Sequence, residues 1–465
     1  MHYPWWFVPQ LTAPMLIAVI ATVHVLVSHY AVGGGLFLAV EVGHAYRTRD
    51  RAYLDYLRGH AAFFVLLTVV FGAITGVGIW WTIGLTSPLA TEVLIRTFVF
   101  GWATEWVFFV VELIAAFIFL YYWGRLDEKT HLAVGWIYAG AAWISLVLIT
   151  GITAFMLNSG DWAVDPSARN FWAAFFNPQF IPQTVARTGG ALLLSSLYVY
   201  LHASFFTRDS RLRDLIAARS ARPAMLGAIM ITAGGFSWYA FLPDSAKATL
   251  ASAAVLNVLI VLIFAATIIV FAMLYLGPYR NPGWLTPGFA ILLFLLGLMA
   301  FSTGEFIREA IRKPFIVYNV VYGNQIFPEQ VPRLRAEGYL NGGLWTRAFA
   351  AEHYPELMVE GRIDNSKLLK LPYKDRLALG EVLFMHHCND CHAGSFGYSA
   401  AGLLLQGRPR EAVLDTIKRL DDNFFMPPWC GTEQEAELLT DYLMTIKSPP
   451  PAGIRLWEKP GGANE

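Results

Sequence analysis

The stretch "ATVHVLVSHYAVGGGLFLAV", residues 21–40, decides the class of fold. It contains no Lys, Arg, Asp or Glu, and a helix needs about 20 mainly apolar residues to cross the hydrocarbon core of a bilayer. The chain of 465 residues is 56% hydrophobic and only 15% charged, with no formal net charge. This composition predicts an integral membrane protein. A neutral chain without a basic run also excludes nucleic acid as a partner class.

Eight apolar stretches reach or approach the length of a spanning helix, which predicts an all-α, polytopic bundle of about eight transmembrane helices. They lie near residues 14–44, 60–85, 97–123, 131–157, 187–207, 224–243, 249–276 and 287–310. The first stretch is too long, and lacks the basic leader and small-residue cleavage site, for a signal peptide. We therefore expect it to remain as an anchor.

The distribution of cations predicts the orientation, because Lys and Arg are retained on the cytoplasmic side during insertion. The loops after the odd-numbered helices hold Arg47, Arg49, Arg51, Arg58, Arg125, Lys129, Arg208, Arg211, Arg213, Arg219, Arg222 and Arg280. The opposite side holds only Arg96, Arg169, Arg187 and Lys247. We expect both termini outside the cytoplasm, in a prokaryotic inner membrane.

Beyond Pro314 the sequence becomes polar and contains no further run of membrane length. This change predicts three regions: a transmembrane domain over 1–310, an irregular extracytoplasmic connector over 311–370, and a compact domain over 371–465. The last region ends in the Pro-rich tail "KSPPPAG", residues 447–453.

The compact domain contains "CNDCH", residues 388–392. Cys388 and Cys391 have the spacing that forms two thioethers to a haem, and His392 follows as the iron ligand, which is the signature of c-type haem attachment. A zinc site would need a second Cys or His pair, and a thioredoxin-like site would need a βαβ setting. Neither is present, so the motif predicts covalent haem c.

The flanking residues resemble a small class I cytochrome c. "GEVLF", 380–384, is similar to the first helix of that family, and "FFMPPWCGTEQEAELLTDYL", 424–443, is similar to its axial-methionine loop and closing helix. The resemblance implies that Met426 is the sixth iron ligand, the alternative being ordinary core packing. We expect Cys430 to be a buried thiol, and His386 and His387 to lie on a helix surface.

Ionisable residues inside membrane spans mark cofactors or pathways. They are His24 and His29 in the first stretch, Glu105 and Glu112 in the third, His202 in the fifth, and Glu305, Arg308 and Glu309 in the eighth. His24 and Glu309 both fall in the outer half, so they could approach one iron. Glu105 and Glu112 are seven apart on one helix face, as a proton relay needs, although interhelical hydrogen bonding is the alternative. For His44, His60 and His131 we expect structural roles.

The membrane region resembles subunit I of cytochrome bd oxidases. The similar segments are "TVHVLVSHYAVGGGLFLAVE" (22–41), "ELIAAFIFLYYWGRLDEKTH" (112–131) and "FIREAIRKPF" (306–315). The resemblance implies that His24 ligates the haem of the oxygen-reducing centre and that Glu112 lies on a proton path. It also implies Glu309 as a b-haem ligand with Arg312 as its neighbouring cation. One or more b-type haems are expected, and the choice between haem b and haem d stays open.

Three departures from that family stand out. "NPQFIPQTVARTGG" (177–190) offers Ala186 and Arg187 where the family has a low-spin haem histidine, and "FLPDSAKAT" (241–249) is too short for the family's quinol loop. Glu105 is seven residues from Glu112 where the family's pair is eight apart, so Thr104 occupies the partner position. Low-spin haem binding and quinol oxidation at the usual places are therefore open.

Three functions remain. The first is a membrane respiratory oxidoreductase that passes electrons between external haem c and b-type haem, reducing oxygen at His24 and Glu309. The second is a quinol-to-cytochrome c conduit without oxygen chemistry, with His29, His60 and His202 as substitute ligands. The third is a non-catalytic relay subunit of a larger respiratory complex. Expected partners are a second membrane subunit or a second copy of the chain, and external cytochromes.

Overall fold

The computed structural model describes residues 6–165, 167 and 169–447. The predicted Pro-rich tail lies almost entirely outside the described residues, which end at Lys447. The described residues form two compact units. The membrane unit comprises 18–84 and 89–320, and the C-terminal unit comprises 6–17, 85–88 and 321–447.

The first 310 residues are mainly helical, and most of the helices are long and apolar. They are α1 (Ala13–Thr48), α2 (Arg51–Val65), α3 (Gly72–Thr86), α4 (Pro88–Thr97), α5 (Val99–Tyr121), α6 (Glu128–Phe155), α7 (Asp161–Val164), α8 (Phe171–Phe175), α9 (Phe180–Phe206), α10 (Ser210–Ala240), α11 (Asp244–Ser252), α12 (Ala254–Leu274) and α13 (Pro287–Ala310). A π-helical turn, Leu66–Phe71, joins α2 to α3, and another, Tyr275–Tyr279, extends α12. A 3-10 turn, Pro282–Trp284, precedes α13.

Among the described residues, seven helical segments are long and apolar enough to cross a membrane, and α10 with α11 makes an eighth as a pair bent by 110°. The prediction of about eight spans is thus confirmed as seven or eight. In the C-terminal unit the Tyr398 amide donates to the Gln10 carbonyl at 2.8 Å. The N-terminal residues therefore pack within the C-terminal unit.

The membrane unit packs through small residues and exposes apolar ones. A Cβ added at Gly189 of α9 would lie 2.6 Å from the Gly227 carbonyl oxygen of α10, so these two helices cross at a glycine pair. Small residues allow such close approach between membrane helices. Large side chains such as Phe100, Val261 and Ile268 are exposed, as expected of a surface that faces lipid.

The rest of the chain is made of short elements. They are the strands β1 (Phe315–Val317), β2 (Val321–Tyr322), β3 (Met358–Val359) and β4 (Arg362–Ile363), the helices α14 (Val331–Glu337), α15 (Tyr339–Gly342), α16 (Thr346–His353), α17 (Tyr373–His387), α18 (Ala401–Leu404), α19 (Arg410–Lys418) and α20 (Glu433–Ile446), and 3-10 turns at Pro328–Gln330, Pro355–Leu357, Asn365–Lys370 and Leu420–Asp422. Strands β3 and β4 pair antiparallel, with Met358 opposite Ile363.

The core of the C-terminal unit forms where α17 crosses α20. A Cβ at Gly380 would lie 2.3 Å from the Leu438 carbonyl oxygen, so only glycine permits this approach. Part of the predicted connector, 311–370, contributes Leu334, Tyr339 and Leu368 to the same core. The segment is therefore ordered by packing against α17 and α20, a contact that its polar composition does not reveal.

Candidate functional site

The predicted haem-attachment residues follow α17 on one tight turn. The amides of Cys391 and His392 both donate to the Cys388 carbonyl, at 3.0 and 2.8 Å. Cys388 and Cys391 are partly exposed. Burial, and secondarily Cys391, raises the pKa of Cys388 to about 12. The turn thus holds both sulfur atoms within one tight bend, and Cys388 is held as a thiol.

His392 is fixed in one ring orientation. Its Nδ1 lies 2.9 Å from the Ser399 carbonyl oxygen and 3.1 Å from the Ser399 hydroxyl. A carbonyl oxygen can only accept, so Nδ1 carries the hydrogen and the neutral ring has its lone pair on Nε2. In metal-binding histidines, a hydrogen bond from the ring nitrogen that does not bind the metal fixes the orientation of the ring.

The described residues around Cys388 do not form a ligand set for a metal other than haem iron. No three His, Cys, Asp or Glu side chains among the described residues are grouped so that they could hold a metal ion. The turn therefore suits thioether attachment better than a zinc centre.

Met426 lies in the loop between the turn Leu420–Asp422 and α20, and its amide donates to the Asn423 carbonyl at 3.1 Å. Its role as the sixth ligand stays a prediction. Cys430 is fully buried, as expected, and its thiol lies 3.2 Å from the Pro428 carbonyl. Burial raises the pKa of Cys430 to about 12.

The surface position predicted for His386 and His387 is wrong, because both rings are buried. His387 packs between Tyr339 and Trp429, with ring centroids 4.3 and 4.7 Å away. These aromatic residues come from segments 42 to 48 positions distant in the chain, so no local pattern on α17 could reveal them. Burial lowers the pKa of His387 to about 3 and that of His386 to about 4.

In the membrane unit, His24 on α1 shows the same ring state as His392. Its Nδ1 lies 3.0 Å from the Thr75 hydroxyl oxygen, and that hydroxyl lies 2.9 Å from the Phe71 carbonyl. Since Thr75 gives its single proton to a carbonyl, it accepts from Nδ1, and the lone pair of His24 is on Nε2. Gly76 makes room for the ring, because a Cβ there would lie 3.2 Å from Cε1.

His29 lies one turn further along α1 and is buried. Its Nδ1 lies 3.0 Å from the Val25 carbonyl, so its lone pair is also on Nε2. The ring is within electrostatic range of Arg187 on α9 and Glu305 on α13. Glu305 in turn forms a 2.9 Å salt bridge with Arg308. Arg187 is thus a cation within a charged cluster. From the sequence it was known only as the residue beside the position where the similar family has a histidine.

Glu309 and Arg312 form a buried ion pair at the end of α13. Arg312 also donates to the Ile316 carbonyl at 3.0 Å and contacts the sulfur of Met156 at 3.8 Å. Arg308 is within electrostatic range of Glu309. The predicted neighbouring cation of Glu309 therefore lies against it, and the pair joins the charged cluster around His29.

The two carboxylates of α5 face a polar position on α6. Ser145 donates to Glu105 at 2.8 Å and also interacts with Glu112. Oε1 of Glu112 is buried without a hydrogen-bond partner among the described residues. Thr104, at the family's position, instead donates to the Phe100 carbonyl of its own helix at 2.7 Å. Glu105 is thus the partner that shares an environment with Glu112.

His60 and His202 form a second buried histidine pair, with perpendicular rings 4.8 Å apart. Nε2 of His60 lies 3.1 Å from the Tyr30 hydroxyl. The Nδ1 atoms of both histidines are buried without a partner among the described residues. His131 differs, because both of its nitrogens are used, by Tyr46 at 2.8 Å and by the Phe119 carbonyl at 2.9 Å. Its geometry is that of a structural residue.

Comparisons with known proteins agree with the geometry of the membrane unit. Residues 13–239 match the family described as Cytochrome bd terminal oxidase subunit I. That match includes His24, Glu105 and Glu112, and ends before Glu309 and Arg312. No curated protein sequence matches the chain.

Among solved structures, the bd oxidase from Geobacillus thermodenitrificans is similar in fold. The TM-score is 0.55 at 19% sequence identity, over 65% of this chain and 87% of that chain. At this identity the likeness shows the fold alone. The chain is therefore a membrane protein similar to cytochrome bd oxidase subunit I, a similarity that implies a respiratory oxidoreductase.

Proposed function

We propose that the chain passes electrons between a haem c attached at Cys388 and Cys391 and a b-type haem held by His24 and Glu309, and that it reduces oxygen at the membrane haem. The observation that carries this proposal is the ring state that His24 and His392 share. In both, Nδ1 donates to an oxygen of the protein and the lone pair is on Nε2. His24 and His392 are thus prepared as iron ligands, and His29 in the membrane unit has the same tautomer.

The residues around residue 388 fit a covalent haem. The turn Cys388–His392 holds two cysteine side chains and one oriented imidazole, and the helix crossing at Gly380 supports the resemblance to a class I cytochrome c. Met426 is the proposed sixth ligand, which raises the reduction potential relative to a bis-histidine iron. Cys388, Cys391, His392 and Met426 would therefore hold the group.

The residues in the membrane unit fit a second haem. His24 offers Nε2, and Arg312 neutralises the charge of Glu309 so that this carboxylate can lie buried near a metal. When bound, a haem c would supply one-electron transfer, and a haem in the membrane unit would supply oxygen binding and reduction. The donor set leaves open whether the macrocycle is haem b or haem d.

Oxygen reduction consumes protons, and Glu112 is the proposed carrier. Its buried Oε1 has no hydrogen-bond partner among the described residues, so this oxygen can take a proton without breaking a hydrogen bond. Ser145, which donates to Glu105 and interacts with Glu112, links the two carboxylates. Glu105 and Glu112 are therefore proposed to hold and pass the protons.

The setting of this activity follows from the cations and from the similar family. The charge distribution supports an inner-membrane protein whose C-terminal unit is extracytoplasmic, where it would meet external cytochromes. The description "subunit I" implies a further subunit in that family, so a second membrane subunit is the proposed partner, with a second copy of this chain as the alternative.

The test is a pyridine haemochrome assay with reduced-minus-oxidised spectra on the purified full chain. We expect one haem c and at least one other haem. Cys388→Ser with Cys391→Ser should remove the c signal alone, and His24→Leu should alter the other signal alone. A chain with no covalent haem, or with no second haem, would contradict the proposal.

A quinol-to-cytochrome c conduit is the second candidate, favoured by the pair His60 and His202. Their unpartnered Nδ1 atoms give the membrane unit additional ligands or a polar site that the first proposal does not use. The family's quinol loop is replaced by α11, which has nine residues, so quinol would bind elsewhere. Haem c reduction by a quinol analogue, at a rate insensitive to oxygen, would favour this candidate.

A further inference from the structure

A groove of about 490 Å³ lies between the ends of α1 and α6 in the membrane unit, on the side where the sequence places the cytoplasm. It is lined by Ala39, Val40, Gly43, Tyr46, Arg47, Arg49, Glu128, Lys129, Leu132 and Trp136. None of these residues belongs to the proposed haem sites or to the proton relay. The groove is therefore a separate feature of the molecule.

The lining of the groove changes along its length from apolar to basic. Val40, Leu132 and Trp136 form the part that lies within the span, and Val40 and Trp136 are exposed. Arg47, Arg49 and Lys129 lie at the ends of the helices and are exposed. The apolar wall could contact the hydrocarbon part of an amphiphile, and the cluster of cations could contact an anionic headgroup.

The net charge at the mouth is positive. Glu128 forms a salt bridge with Arg49, so these two charges cancel. Arg47 uses its Nε for the Gly43 carbonyl, at 3.2 Å, and keeps its guanidinium charge. Arg47 and Lys129 form no salt bridge with another described residue, so two positive charges remain beside the groove.

We propose that this groove binds an anionic phospholipid of the cytoplasmic leaflet. The headgroup phosphate lies against Arg47 and Lys129, and an acyl chain lies along Val40, Leu132 and Trp136. Basic pockets between membrane helices on the cytoplasmic side suit anionic headgroups. A neutral lipid would fill the apolar part but leave the two cations unpaired.

The test uses the full chain in nanodiscs of phosphatidylcholine that contain spin-labelled phosphatidylglycerol. Electron paramagnetic resonance measures the immobilised lipid and its affinity, and spin-labelled phosphatidylcholine is the neutral comparison. We expect a preference for phosphatidylglycerol that falls about tenfold in the variant R47Q/K129Q, since two interfacial cations are lost. Size-exclusion elution and thermal unfolding check that the variant folds.

The matched control is R211Q/R222Q. Arg211 and Arg222 are exposed, lie on the same predicted side, and do not line the groove. This variant loses the same charge and should bind the lipid as the wild type does. Val40→Trp, which fills the apolar part and keeps both cations, should also weaken binding and serves if the charge variant does not fold.

Three results would overturn the proposal. They are equal binding of the two labelled lipids by the wild type, an unchanged affinity in both R47Q/K129Q and V40W, and an equal loss in R211Q/R222Q. Loss of a co-purifying membrane chain from R47Q/K129Q with unchanged lipid binding would show that the groove is a protein interface, which also overturns it.

Discussion

The carboxylate of Glu435 offers the sharpest test of how the C-terminal unit is held together. This fully buried side chain accepts from the amides of Tyr339, Leu340 and Thr432, at 2.9, 2.7 and 2.7 Å. The Glu435 amide in turn donates to the Thr432 hydroxyl oxygen, which completes a capping box at the start of α20. One residue therefore joins α20 to the segment around α15.

Glu435→Ala should open this contact. The Tyr339 and Leu340 amides belong to buried residues, and a buried donor that loses its acceptor costs about 1–3 kcal/mol. Two such donors and the lost cap give a local destabilisation of about 3 kcal/mol or more. Since 1.4 kcal/mol is tenfold, amides of α15 and α20 should exchange at least about a hundredfold faster.

The assay is hydrogen exchange with mass spectrometry on the purified full chain. Glu433→Ala is the matched control, because Glu433 lies in the same helical turn, is exposed, and forms only a surface salt bridge with Lys418 at 3.0 Å. Exposed ion pairs contribute little, so this variant should exchange as the wild type does. Equal protection in the two variants would refute the assigned role of Glu435.

Three further predictions concern the redox and titratable groups. Glu112→Gln should lower the rate of oxygen consumption about a hundredfold or more, because a proton carrier is lost. The control Glu92→Gln, at an exposed salt bridge, should leave that rate unchanged. Equal rates in the two variants would contradict the proton relay. Thiol titration of the full chain should find no reactive thiol in the native state and one, Cys430, in denaturant; three thiols in denaturant would contradict haem c attachment. Burial lowers the pKa of His387 to about 3 and that of His386 to about 4. The uncharged forms of both residues therefore stabilise the folded state fully above pH about 6.5. This contribution is lost as the pH falls from about 6.5 toward the two folded-state pKa values. Protection of α17 should therefore decline with acidification in that window, and His387→Phe should reduce the slope by about half; an unchanged slope would contradict the burial of an uncharged His387.

The sequence predicted the spans well, because long apolar runs are set by composition alone. The start of α10 shows the limit. Hydropathy predicted a helix over 224–243, but the helix begins at Ser210, capped by Asp209. Its first turns carry Arg211, Arg213 and Arg219, which are compatible with a helix but lower its hydropathy.

The candidate site was predicted in its residue types but not in its partners. The tautomer of His24 depends on Thr75, 51 residues away, and no local pattern encodes such a contact. Arg187 appeared only as a substitution until the structure placed it near Glu305 and His29. Motifs with fixed spacing, such as residues 388–392, identify chemistry directly, whereas charge clusters assembled from three spans need the packed bundle.

The central claim is that a haem on residues 388–392 shares electrons with a haem in the membrane unit. Its most direct test is to mix the fully reduced chain with oxygen in a stopped-flow spectrometer and to follow the haem c α-band. In the wild type, haem c should reoxidise much faster than by autoxidation. In His24→Leu the reoxidation of haem c should be slower, while the c haem remains attached. Reoxidation at the same rate in both proteins would contradict it.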